Sequence, residues 1–155
     1  MCEYCGCQEI AAIADLTREH DALVAQIAIA RTHLSTDRKD LAAAVCRTML
    51  DILGPHTVVE EEGLFPLLTG DFPEHVQVLR AEHIQIHSVL SESAHHTPTD
   101  SSWPDRLLAA FHLLRDHILK EQDGMFPAAL IALDGDQWDQ VEAARAKASH
   151  GPVQT

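Results

Sequence analysis

Apolar residues recur three or four positions apart along nearly the whole chain. Ile10, Ile13, Leu16, Leu23, Ile27 and Leu34 mark the first such stripe, the period of an amphipathic helix, which predicts a helix over about Glu9 to His33. Ser35, Thr36 and Asp37 follow, all good helix N-caps. A second helix is expected from Arg38 to Leu68, bent or broken at Gly54-Pro55, because proline removes a backbone hydrogen bond. Thr69 to Phe72 closes it, and Pro73 opens a third helix reaching Ala94. The polar stretch His95 to Ser102 reads as a loop. Trp103-Pro104 opens a fourth helix ending near Leu133, Asp134-Gly135-Asp136 reads as a turn, and Gln137 to Ala148 as a short fifth helix. No segment alternates with period two. The expected fold is all-α, an up-down-up-down four-helix bundle with a short C-terminal helix. The expected organisation is a Cys-rich segment (1–8), a bundle (9–134), and a C-terminal helix and tail (135–155).

Composition narrows the function. The 155 residues carry a formal charge of −13, which disfavours nucleic acid and anionic membrane surfaces as partners, since both are negative. The N-terminus shows no basic segment with an apolar run of signal length, and no apolar stretch approaches the roughly 20 residues of a membrane helix. A cytoplasmic location is expected. Eleven histidines are the unusual feature, because imidazole is the commonest metal ligand.

Some of these histidines lie in a repeat. The run from His56 to Pro66 matches the run from His117 to Pro127, 61 residues on (117 − 56). Glu19-His20 matches Glu82-His83, 63 residues on (83 − 20). The first two helices therefore resemble the third and fourth, as two halves of a pseudo-twofold arrangement.

Each half contains HxxxE, and residues four apart share a helix face. His56 with Glu60 and His117 with Glu121 can each point at one place. The third helix adds His83 and His87, again four apart, and the first adds His20; Val24 stands where His87 would have its match. One HxxxE pair alone usually means a solvated ion pair. Four helices contributing at matching depth, with a Gly-[Leu/Met]-Phe-Pro tail after each HxxxE, point instead to a metal site. Five imidazoles and two carboxylates that each give an oxygen to two metals supply nine contacts. With one shared oxo or hydroxo oxygen, two six-coordinate metals keep one position open, the mark of a reactive centre. Mixed nitrogen and oxygen ligation suits iron, with manganese or zinc as alternatives. Apolar neighbours such as Leu23, Ile27, Val59, Ile86, Leu90 and Leu114 predict a dry pocket.

The order His, HxxxE, HxxxH, HxxxE with its Phe-Pro tails resembles the hemerythrins, specifically the bacterial HHE cation-binding branch, over about Ile13 to Ile131. The resemblance implies a four-helix bundle holding two irons bridged by oxygen. It implies His20 and His56 on one iron, His83, His87 and His117 on the other, Glu60 and Glu121 bridging, and the open position on the first iron. Oxygen-carrying hemerythrins place an aspartate five residues after the last histidine. Here that residue is Gln122, which cannot bridge as an anion, so Glu121 takes the part and reversible oxygen carriage is disfavoured. Glu19 and Glu82 precede ligand histidines, where a carboxylate can accept a hydrogen bond from a metal-bound imidazole, though one residue apart on a helix they would not face the same way; Glu61 and Glu62 read as solvent-facing, with Glu61 an alternate ligand. His33, His75, His95, His96, His112 and His150 lack partners in the repeat.

The resulting expectation is a non-haem di-iron protein that binds or reacts with O2, NO or H2O2 in redox or nitrosative stress sensing or defence. As an enzyme it would consume peroxide or nitric oxide. Iron handling, iron–sulfur cluster repair and reversible oxygen carriage are the alternatives. Cys2, Cys5 and Cys7 form CxxCxC, a candidate second site for zinc or an iron–sulfur cluster, with Cys46 as a fourth ligand or simply a buried thiol.

Overall fold

The structure, a computed structural model, describes residues 10–149. α1 (Ala11–Ser35) runs antiparallel to α2 (Lys39–Val58). The turn between them is closed by Asp37, whose φ of 55° is left-handed. Arg38 N–H returns to His33 O at 2.8 Å and Asp37 N–H to Leu34 O at 3.2 Å, the Schellman pattern that satisfies a helix C-terminus. Asp37 thus ends α1 and does not cap α2, as its residue type had suggested. α2 continues through Pro55 unbroken.

The irregularity lies further on. α2 widens into a π segment, π1 (Val59–Leu64), before a last turn, α3 (Phe65–Leu68). The second half does the same: α5 (Trp103–Lys120) leads into π2 (Glu121–Met125) and then α6 (Phe126–Ala132). The cause is Phe-Pro. Pro66 and Pro127 have no N–H to give, and an α-helical path would drive each ring against the carbonyl four residues back. The preceding Phe65 and Phe126 N–H groups reach five residues back, to Glu60 O and Glu121 O. Glu61 O, released from its α-helical donor, accepts from Arg80 Nη2 at 3.2 Å. Single π turns of this kind gather at functional sites.

α4 (Pro73–Ser91) opens on proline, and α7 (Gly135–Ser149) on a capping box: Gln137 N–H donates to Asp134 Oδ1 at 2.9 Å, and Asp134 N–H to Gln137 Oε1 at 3.0 Å. The expected turn at Asp134 to Asp136 is therefore the cap and first residues of α7.

α1, α2, α4 and α5 form an up-down-up-down bundle, and no strand occurs among the described residues. Its interior has two apolar layers. One holds Leu23, Met49, Ile86, Trp103 and Phe111; the other holds Leu16, Leu64, Phe65, Leu79 and Phe126. The ligand-type residues fall between them along each helix. α7 crosses the outside of π1 and touches α1 and α2. Cys46 is buried in the first layer, across the polar residues from Ile10, and burial pushes its thiol up to about 11. Cys2, Cys5 and Cys7 lie outside the described residues. No described helix is long and apolar enough to cross a membrane.

Candidate metal centre

Six titratable side chains meet between the apolar layers, each no more than 4% exposed: His20, His56, Glu60, His83, His117 and Glu121. They form two groups, whose potential ligand atoms lie within 4.8 Å of one another. His20, His56, Glu60 and Glu121 make the first pole; His83, His117, Glu60 and Glu121 make the second. Both carboxylates belong to both. Glu60 Oε1 is 3.1 Å from His56 Nε2, and Oε2 is 3.0 Å from His83 Nε2, so its two oxygens face opposite poles. Glu121 Oε1 is 3.1 Å from both His20 Nε2 and His117 Nε2.

The repeat becomes a geometric symmetry here. The rings of His20 and His56 lie 4.8 Å apart at 53°, and those of His83 and His117 lie 4.6 Å apart at 51°. Phe126 stacks on His20 at 5.6 Å and Phe65 on His83 at 5.7 Å. Each Phe-Pro tail therefore marks the end of a π turn, and its phenylalanine backs the histidine of the opposite half.

All four histidines present Nε2 inward; three of them hold Nδ1 in an outer hydrogen bond, and His83 Nδ1 makes only an ion contact. His56 Nδ1–H donates to Glu19 Oε1 at 3.1 Å, and His117 Nδ1–H to Glu82 Oε1 at 3.2 Å. His20 Nδ1–H donates to Gln122 Oε1 at 2.9 Å, and His83 Nδ1 lies 3.4 Å from Glu61 Oε1. Such outer acceptors fix the tautomer and orientation of a metal-binding imidazole. Glu19 and Glu82 turn away from the histidines that follow them, as helix geometry requires, and serve the histidine of the neighbouring helix. The acceptor role expected of Glu19 and Glu82 is thus present, but toward the histidine of the packed helix rather than the adjacent residue. Glu61 faces His83 rather than lying free in solvent.

Without a cation this centre is poorly satisfied. Glu60 Oε1 and Oε2, His83 Nε2, His117 Nε2 and Glu121 Oε2 are buried with no geometrically sound hydrogen bond, an arrangement that normally costs stability. Donors about 2.1 Å from a shared metal at right angles stand roughly 3 Å apart, which is the spacing found. Imidazole nitrogens and carboxylate oxygens in this number suit iron.

Charge distribution agrees. Burial pushes His56 down, but Glu60, Glu19 and Glu121 around it outweigh that and raise it to about 10. His117 rises to about 9 against its burial, through Glu121, Glu60 and Glu82. Burial would raise the Glu60 carboxyl, yet His56 beside it holds it well below the usual range. Protons thus occupy the place a cation would take.

His87 stands outside both groups. It is half-buried, with Nε2 3.0 Å from Thr57 Oγ1. The positions that match His87 and Thr57 in the opposite halves are Val24 and Ile118, so this polar pair has an apolar counterpart. Of the unmatched histidines, His33, His75, His95, His96 and His112 are intermediate or exposed, and His150 lies outside the described residues.

Residues 11–129 match a family model, that of the hemerythrin HHE cation-binding domain. No curated protein and no solved structure matches the chain.

Proposed function

Because the chain belongs to the hemerythrin HHE cation-binding family, we propose that its buried cluster is a di-iron centre that binds or reacts with O2, NO or H2O2. The observation that carries this reading is the sharing of Glu60 and Glu121 by two otherwise separate histidine pairs. A single metal would not need both poles, and five inward-facing atoms lack a well-formed hydrogen bond although most lie in ion contact with one another.

In this reading His20 and His56 would hold one iron and His83 and His117 the other, with Glu60 and Glu121 shared between them. His87, one turn beyond His83 on α4, would be a further ligand of the second pole only if it gave up its hydrogen bond with Thr57. Iron, when bound, supplies one-electron redox change and a coordination position for a small ligand. The protein's own contribution is a dry, fixed surrounding. Leu23, Val59, Ile86 and Leu114 are buried around the site, and outer acceptors hold the rings of His20, His56 and His117 in place. Gln122 supports sensing or redox chemistry over oxygen carriage, since its amide is spent on His20 Nδ1.

The test is an anaerobic ferrous titration followed by exposure to O2, NO and peroxide, read by visible absorption. Saturation at two irons per chain is expected, with His117→Ala and Glu121→Ala each losing at least one. Unchanged metal content in both variants would sink the ligand assignment. An absorption band that fades on degassing would indicate carriage, and iron that stays oxidised would indicate redox sensing or peroxide or nitric-oxide chemistry.

A further inference from the structure

The outer carboxylates Glu19 and Glu82 occupy matching places in the two halves, but different sources neutralise them. Glu82 pairs with Lys120 Nζ, from the helix turn just before Glu121. The residue that matches Lys120 in the first half is Val59, which is fully buried and uncharged. The first half has no cation of its own at that position. α7 supplies one from outside the repeat: Arg145 Nη1 donates to Glu19 Oε2 and Nη2 to Glu19 Oε1, both at 2.8 Å. The same Glu19 Oε1 accepts from His56 Nδ1. A paired guanidinium fork on a carboxylate fixes its plane as well as its charge.

α7 is seated closely enough to hold that geometry. A Cβ at Gly63 would lie 2.9 Å from Ala144 Cβ and 3.3 Å from Val141 Cα. Among the described residues, the matching Gly124 has nothing within 4 Å and opens on a cavity of about 510 Å³, with Lys120 on its wall. Arg145 and Glu19 are 18% and 23% exposed, whereas Lys120 is 48% exposed. One pole is clamped under a helix, and the other is backed by a cavity and a solvated lysine.

We infer that Arg145 of α7, acting through Glu19, is the positioning residue for His56 and makes the His20/His56 pole the tighter of two unequal iron positions. This rests on the di-iron reading above. It also makes α7, which lies beyond the matched residues 11–129, part of the metal centre.

Anaerobic ferrous titration of the full chain tests it. Wild type should load in two resolved steps. Arg145→Gln should weaken one step by roughly 10–100-fold, the range for loss of an outer-sphere partner, with the other step and the helical circular dichroism unchanged. Arg145→Lys should restore part of the loss. The defect should vanish in a His56→Ala background and persist in a His117→Ala background, which a merely structural role for α7 would not produce. Wild-type affinity at both steps in Arg145→Gln would overturn the inference. If Arg145→Gln fails to fold, Glu19→Gln decides, and two unaltered steps there would overturn it equally. Wild type saturating below two irons would instead overturn the di-iron reading, and the inference with it.

Discussion

His56 and His117 carry protons in the metal-free protein because the acidic groups around them are buried with them. Their raised values, about 10 and about 9, mean that both imidazoles are cationic at neutral pH. Metal must replace those protons. Ferrous loading at pH 7 in weak buffer should therefore release about two protons per chain to a pH indicator, falling toward none above pH 10. Affinity should rise with pH over that window. The sign for stability is the reverse: histidines raised above their ordinary value of 6.5 stabilise the metal-free fold below that pH, and the contribution disappears as pH climbs through about 9 to 10. Proton uptake, or no change, on loading would contradict this picture. The residues themselves were legible in the sequence, since His20, His56, Glu60, His83, His117 and Glu121 follow from spacing and repeat alone. The partners of Nδ1 were not, because Glu19 meets His56 and Glu82 meets His117 only once helices from different parts of the chain are packed.

Helix existence was equally legible, and helix irregularity was not. Pro55 carries the sequence signal of a break, yet α2 passes through it, whereas Pro66 and Pro127 widen the turns before them. A missing proline N–H is therefore not enough by itself to widen a helix, and nothing in the structure explains why Pro55 is accommodated. The two matching glycines in these wide turns give an element-level contrast. Gly63→Ala must push Ala144 and Val141 aside, so it should lower thermal stability by about 1–3 kcal/mol, the range for overpacking. Gly124→Ala meets open space and should be neutral or stabilising by up to about 1 kcal/mol, as alanine is the better helix former. Thermal melts of the two variants check this, and equal effects would mean that α7 does not bear on π1 as closely as described.

At the scale of the molecule, a polar layer divides the bundle's apolar interior in two. A layer of buried carboxylates and imidazoles with unpaired atoms is a weak plane unless a cation fills it. Iron bound to the folded state alone stabilises it by about 4 kcal/mol when free metal is roughly 1,000 times the dissociation constant. Chelation should accordingly lower the melting temperature by many degrees without removing the helices, seen as a shifted thermal transition with little change in far-ultraviolet circular dichroism at 25 °C. An unshifted transition would show that the layer is self-sufficient.

The wide turn before each Phe-Pro has a historical reading. A π segment is an α-helix carrying one extra residue, and both halves carry it at the same place, after the same HxxxE and before the same Phe-Pro. One insertion before a duplication accounts for both π segments with a single event, where insertion afterwards needs two. The unit common to both halves is a hairpin that bends there, with one histidine, one HxxxE and one stacking phenylalanine. Such a hairpin holds half a centre and can complete it only against a second copy of itself. The present chain is in this sense two like hairpins in one covalent unit, and its halves differ: valine opposite His87, glutamine opposite Glu61, and, among the described residues, α7 on one side alone.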